Sequence, residues 1–439
     1  MLEKHRSLRR SARMLRHLAS ASFGASLLTL TPVIAPAALA QEAAPLTLQD
    51  AIARAVDADP GLRAANAGVE AAQGSLRQAR VRPNPTLDAE VENFNGRDDL
   101  RGFDGAETTF SLSQEVELGG RRSARMRLAD RELHGAELDH VLRGLDLVRD
   151  VQSAYYDALA AEELVAIARE RLATAEALNS SVARRVAAAR DPLMAGARAE
   201  AGLAEARIAL TRAQAEAATA RARLASFIGG DEGFTLIAAD FALPRASDHE
   251  HGPLGDESPD IARLTAERDR FGAAVSVERS LAWQNPTLSL GYRRFEDRDG
   301  DGALVAGVSI PLGVFDRNQG AVARARAEQR RSEFELDAAR RTLTRDYAAL
   351  ERAIASDAAA VQATEEEVIP QAERALALAQ DGYNRGAFSY LDVLEAQRAL
   401  SDARQNRVDS LRSYHSNEAA LDRLTARFGD ALPIEEQHQ

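Results

Sequence analysis

Three groups of residues have the types and spacing to do chemistry. Asp297, Asp299 and Asp301 alternate through DRDGDG and are followed by Gly302, which is how a calcium loop of the EF-hand type opens. Such a loop needs a bidentate glutamate at its twelfth position. Val308 stands there, inside an alternating stretch, so the motif fails and an acidic surface loop is expected. In SDHEHG, His249 and His251 sit beside Asp248 and Glu250, and imidazole with carboxylate is a donor set for a metal in transit. Two histidines in a linker are more often simply solvated, so no metal site is assigned and these two stay as candidates only. The third group is Asp88, Glu90, Glu115, Glu117 and Arg293, each at an alternate position of a period-two stretch. Charge on one face of a strand suits a wall that looks onto water. No HExxH, GxSxG, phosphate loop or dinucleotide fingerprint occurs. The expectation is therefore a protein that is not an enzyme and needs no cofactor.

The elements that would carry that wall recur. RPNPTLDAEVENF begins at Arg82 and WQNPTLSLGYRRF at Trp283, so the two NPTL phrases start 201 residues apart. After the first, Leu87, Ala89 and Val91 alternate with Asp88, Glu90 and Glu92. The return stretch alternates Phe110, Leu112, Val116 and Leu118 with Ser111, Ser113, Glu115 and Glu117. After the second, Leu288, Leu290 and Tyr292 alternate with Ser289, Gly291 and Arg293, and Leu304, Ala306, Val308, Ile310 and Leu312 return. Alternation over about ten residues with aromatics at the ends marks transmembrane β-strands. Strands are expected at about 85–95, 108–118, 286–296 and 303–313, with Phe94 and Phe295 at one rim and Trp283 and Phe315 at the other. Proline stops a helix and disfavours helical geometry in the residue before it, so NPTL converts helix to strand. LGGRR (118–122) and LGVFDRNQG (312–320) convert back, with Asp316 or Asn318 as an N-cap.

Almost everything else reads as helix. Runs of about 121–185 and 320–381 would each rise about 100 Å at ~1.5 Å per residue. Val141, Leu145, Val148, Val151, Tyr155 and Leu159 form a coiled-coil-like seam in the first, with Glu163, Arg169, Glu170 and Arg171 on another face. Shorter helices are expected at 46–59, 60–81, 194–227, 259–282 and 390–428. LASFIG from Leu224 and LTARFG from Leu424 lie 200 residues apart, which extends the duplication. The halves are read as 41–245 and 246–439, after a leader at 1–40.

That leader holds Lys4, Arg6, Arg9, Arg10, Arg13 and Arg16, a weakly apolar run from Leu18 to Ile34, and APAALA before Gln41. It reads as a secretory signal peptide cleaved after Ala40. Its six bases and one acid, Glu3, give +5, and subtracting that from −12 leaves −17 for the rest, which argues against a nucleic-acid partner. There is no cysteine, hence no disulfide, thiolate metal site or acylated cysteine. With no apolar helix in the remainder, membrane entry requires a β-barrel.

Four strands cannot close a barrel, and open edges in hydrocarbon leave backbone groups unsatisfied. Strands must be shared between subunits, and three copies supply twelve.

The strand pairs, the LGGRR and FDRNQG turns, and YNRGAFSYLDVLEAQRAL (383–400) together resemble the TolC family of outer-membrane efflux proteins over essentially the whole chain after the leader. PLGVFDRNQG is most similar to members serving heavy-metal efflux of the cobalt–zinc–cadmium type. The resemblance implies a mainly α fold with a membrane β part. It implies a homotrimer whose 12-stranded barrel in outer-membrane lipid continues into a long periplasmic α-helical barrel. It implies partners: a periplasmic adaptor protein and an inner-membrane pump of the resistance–nodulation–division (RND) class. The adaptor-contact tip falls on Arg385, Gly386, Ala387, Phe388 and Ser389. Its counterpart in the first half is Ala188, Ala189, Arg190, Asp191 and Pro192, which lacks the glycine. The periplasmic constriction falls on Asp392 and Glu395, and Tyr383 on a residue that helps hold the tip shut. Phe388 stands where a gating arginine can occur. Implied function is passive export of heavy-metal cations. Alternatives are a duct for drugs, solvents or type I secretion, and a periplasmic coiled-coil scaffold that is no channel.

Overall fold

A computed structural model describes residues 45–230, 232–243 and 258–428, without the side chain of Asp99. The leader, the His249–His251 segment and Gly429 of LTARFG lie outside the described residues.

The chain starts with a short strand, β1 (Pro45–Leu46), and two helices, α1 (Leu48–Ala58) and α2 (Pro60–Ala79). Thr47 caps α1, its hydroxyl accepting from Asp50 N at 3.1 Å. Asp59 caps α2, accepting from Leu62 N at 2.6 Å, with Pro60 at the first helical position, where no N–H is missed. Then come β2 (Thr86–Glu92) and β3 (Glu107–Glu115), α3 (Arg121–Ala187), α4 (Leu193–Phe227) and β4 (Thr235–Leu236), which pairs in parallel with β1. The second half repeats the plan with α5 (Pro259–Leu281), β5 (Thr287–Phe295), β6 (Gly302–Ser309), α6 (Gln319–Ala363), α7 (Ile369–Arg385) and α8 (Tyr390–Thr425).

Two departures from the sequence reading have physical causes. The helix read as one run over 320–381 is α6 and α7 joined by a π-turn, Thr364–Val368, and it continues to Arg385. Pro370 has no N–H to donate to Glu366 and its ring crowds that carbonyl. The ladder slips by one residue instead, and Ile369 N bonds to Thr364 O. The return strands are also shorter than their alternation. β3 ends at Glu115, beyond which Val116 N bonds to Pro286 O and Leu118 N to the Asn285 side chain, at 2.9 Å each.

The four long strands form one antiparallel sheet in the order β2–β3–β5–β6. The β3–β5 pair joins the halves, from Glu107 opposite Phe295 to Glu115 opposite Thr287. β2 and β6 are its open edges.

The main core lies where α1, α3, α4 and α8 meet. Leu145, Val148, Val151, Tyr155 and Leu159 of the expected seam are all buried there, against Ile52, Leu224, Val408 and Leu411. Tyr155 is wholly buried, and its hydroxyl donates within reach of Leu46 O (3.1 Å) and Asp240 Oδ2 (2.9 Å), so the phenol is satisfied in an apolar setting. A smaller core of Val182, Ala199, Tyr383, Tyr390 and Val393 packs the far ends of α3, α4 and α8 against α7.

Candidate functional site

The sheet has two chemically opposite faces. Leu87, Leu112, Leu290 and Ala306 lie in one row across it, and Ala89, Phe110, Tyr292 and Leu304 in the next. The other face carries Asp88, Glu90, Glu92, Glu107, Glu115 and Arg293 with Ser111, Ser113 and Ser289. Exposure is inverted relative to a protein in water. Leu87 is 75 % exposed, Leu290 63 % and Leu304 81 %, while Thr109 is buried and Arg293 half-buried. An outward apolar face with a polar face within is the arrangement a lipid-bounded barrel demands.

On the polar face Arg293 ties three strands, donating to Glu107 (2.7 Å), Glu92 (2.9 Å) and Thr109 Oγ1 (2.9 Å). Ser113 donates to Asp88 at 2.9 Å, and Asn285 donates to Glu115 at 2.6 Å. Glu90 lies opposite Thr109, itself opposite Arg293. Glu117 is off the strand and in the turn, where Arg125 holds it at 2.7 Å, so it belongs to the junction with the helices. DRDGDG forms the β5–β6 turn, with Asp299 and Gly300 at positive φ, and Val308 lies on the apolar face. No group of three or more metal-binding side chains occurs among the described residues.

At the other end of the molecule two helical hairpins turn. The α7–α8 turn closes on Gly386 at φ 81°, a left-handed conformation that costs glycine nothing, with Gly386 N bonded to Tyr383 O (3.0 Å) and Ala387 N to Gly382 O (2.8 Å). Phe388 lays its half-exposed ring on the bare Gly382, where a Cβ would come within 2.1 Å of it. Ser389 and Asp392 form a capping box: the Asp392 carboxylate accepts from Ser389 N (2.7 Å) and Oγ (2.8 Å). Those two bonds, the hydroxyl's first, hold the Asp392 carboxyl below the usual aspartate range. Asp392 and Glu395 are both exposed and, three residues apart, share a face of α8. Arg385 pairs with Asp381 on its own helix.

The α3–α4 turn reaches the same kind of stop without glycine. Ala189 takes φ 53°, and the exposed Arg190 bonds back to Arg185 O at 2.9 Å. Pro192 stands at the N-cap of α4 and offers no side-chain bond. Asp191 is the hub. It accepts from Arg185 Nε (3.0 Å) and Nη2 (3.1 Å) and from the Tyr383 hydroxyl (2.6 Å). Arg185 also donates to Tyr383 O (3.1 Å) and lies 4.6 Å from the Tyr383 ring centre. The Arg185 guanidinium, and then the Tyr383 hydroxyl, hold the Asp191 carboxyl below its ordinary range. Burial first, and then the bond to Asp191, push the Tyr383 phenol up. The structure thus brings together Tyr383 and Asp191, which the sequence placed in separate roles. It adds Arg185, which the sequence reading missed. The six-residue step from Arg185 to Asp191 across a turn was the only local sign of it.

Comparison with known proteins identifies the class. The chain belongs to the outer membrane efflux protein family, whose profile matches residues 51–230 and again 254–427. It is 33 % identical to the cobalt-zinc-cadmium resistance protein CzcC of Cupriavidus metallidurans, over 88 % of this chain and 91 % of that one. It is 29 % identical to the nickel-cobalt-cadmium resistance protein NccC of Alcaligenes xylosoxydans xylosoxydans, over 71 % and 72 %. Among solved structures it superposes on the outer membrane protein VceC of Vibrio cholerae with a TM-score of 0.72 at 21 % identity, covering 86 % of this chain and 95 % of that one. The fold is therefore TolC-like: mainly helical, with one four-stranded sheet per chain as its membrane part. No helix among the described residues is long and apolar enough to cross a membrane.

Proposed function

We propose that the chain is the outer-membrane duct of a three-part efflux system that expels heavy-metal cations. The observation that carries the reading is the sheet: apolar outward, acidic within, and open at both edges. Backbone groups on an open edge cost several kcal/mol each in hydrocarbon. Pairing β6 of one copy with β2 of the next removes that cost, and three copies give a barrel wide enough for a water-filled lumen. Residues 41–245 and 246–439 are then two versions of one plan, in line with the double match to the family.

Five carboxylates against one guanidinium line the polar face of each sheet, a balance that draws cations and repels anions. At the tip, Asp392 and Glu395 from three copies would stack as two carboxylate rings. The capping bonds fix Asp392 in place and keep it charged. Residues 385–389 and 190–192 are the contact for a periplasmic adaptor, which connects the duct to an inner-membrane pump of the RND class. The names of the two resistance proteins support metal as cargo.

The test is a deletion strain exposed to zinc, cobalt, cadmium and copper, and separately to cationic dyes, with plasmid-borne wild type restored. The expected outcome is severalfold sensitisation to metals alone. Sensitisation to dyes with unchanged metal tolerance would move the assignment to organic cargo.

A further inference from the structure

The first turn of α3 breaks a local rule. A helix N-terminus carries partial positive charge, so acids favour it and bases oppose it. α3 opens with Arg121 and Arg122, has Arg125 one turn on, holds no acid in its first turn, and is preceded by Gly120, which has no side chain to cap with.

Those guanidinium groups serve other helices. Arg121 donates to Ser280 O (3.4 Å), Leu281 O (3.3 Å) and Trp283 O, the last carbonyls of α5 and its exit. Arg122 donates to Arg80 O (2.8 Å), and Arg125 to Ala79 O (3.1 Å) and Val81 O (3.0 Å), the end of α2. Helix C-termini leave carbonyls unsatisfied and carry partial negative charge, which a planar cationic fork suits. Since α2 leads into β2, α5 into β5 and β3 into α3, three of the four helix–strand transitions meet on three arginines. The fourth, from β6 to α6, is tied to the same place by Asn318. Its amide does not cap α6 but donates to Glu278 O (2.9 Å) and Oε2 (2.6 Å) of α5.

A second observation concerns the glycine before them. Gly119 lies at φ 65° directly under Trp283, and a Cβ there would stand 2.6 Å from the indole Cδ1. The turn thus seats the Trp283 ring while Arg121 holds its carbonyl.

We propose that Arg121, Arg122 and Arg125 are positioning residues of the duct, fixing the angle at which the sheet leaves the helices and so the width of the passage where barrel and tunnel join. The proposal rests on the channel reading above and is independent of cargo. Arginine is required at 121 and 125 because each of those groups bridges several carbonyls, while Arg122 adds one bond to Arg80 O; lysine keeps the charge and loses the bridge.

Trp283 is the only tryptophan, so its emission reports on the junction without a label. Detergent-extracted wild type is compared with Arg121→Lys, with Arg121→Lys/Arg125→Lys, and with Arg331→Lys, an exposed α6 residue paired with Glu335 on its own helix, as control. Expected are lower Trp283 anisotropy in both junction variants, no change in the control, and in planar bilayers a junction-variant conductance that wanders between levels at least twofold apart where wild type holds one. Wild-type anisotropy with a steady wild-type conductance would overturn the proposal. So would a variant that melts earlier but conducts steadily, because the arginines would then be scaffold alone. If the double variant does not assemble, the single variant is read by the same two criteria. A wild-type chain that never conducts would fail the channel reading instead, and the anisotropy would still report on the clamp.

Discussion

The two hairpin turns reach a similar left-handed stop by different chemistry. The α7–α8 turn is self-sufficient: Gly386 supplies the left-handed residue, Phe388 packs on Gly382, and Ser389 and Asp392 cap the helix that follows. The α3–α4 turn has neither glycine nor side-chain cap. It forces Ala189 to φ 53° and relies on Asp191, held by Arg185 from its own hairpin and by Tyr383 from the other. One tip is locally specified. The other draws part of its support from the neighbouring hairpin, through the Tyr383 hydroxyl.

The largest expected effect comes from cutting the shared bond. Asp191→Asn keeps size but removes the charge that Arg185 faces, and bilayer conductance at neutral pH is expected to rise severalfold as the tips part. The pH dependence follows from the shifts. Asp191 binds its proton less tightly folded than unfolded, so its contribution is full above the ordinary aspartate range and is lost as pH falls below about 4. Tyr383 holds its proton more tightly folded, so its contribution is full below about pH 10 and is lost above that. Wild-type conductance should therefore rise at both extremes, and Asp191→Asn should lose the acid limb. An unchanged acid limb in that variant would dissolve the distinction between the tips.

Smaller effects sharpen it. Gly386→Ala places a Cβ in a left-handed residue and should cost its tip about 1–2 kcal/mol, read as faster amide exchange of residues 383–392. Ser389→Ala removes half of the capping box and should cost about 1 kcal/mol by the same measure. Ala189→Gly relieves the strained turn and should slow exchange at 186–192 by about 0.5–1 kcal/mol. Destabilisation by Ala189→Gly would mean that this tip's conformation is not strained.

What was legible in the sequence was whatever repeats or alternates. The NPTL phrases, the period-two stretches and the Val141–Leu159 seam each announce an element, because burial on one face imposes a period that survives in the letters. The pairing of β3 with β5, which joins the halves, was not read from the sequence. Contacts between distant segments left no such trace. Nothing near Tyr383 points to Asp191, 192 residues earlier, and nothing in LGGRR says that its arginines bond carbonyls some 40 and 160 residues away. The π-turn was hidden for another reason: Pro370 sits in good helical sequence on both sides, and the slip in the ladder costs too little to break the pattern. Glu117 was misplaced because alternation runs two residues beyond the last ladder pair, where the chain has already begun to turn.

The account depends on a sheet too small to close on itself. Native mass spectrometry of the protein extracted from outer membranes in mild detergent tests this directly. The predicted result is a particle of three chains that falls apart when charged residues are placed along β2 or β6. A particle of one chain, folded and lipid-embedded, would contradict it.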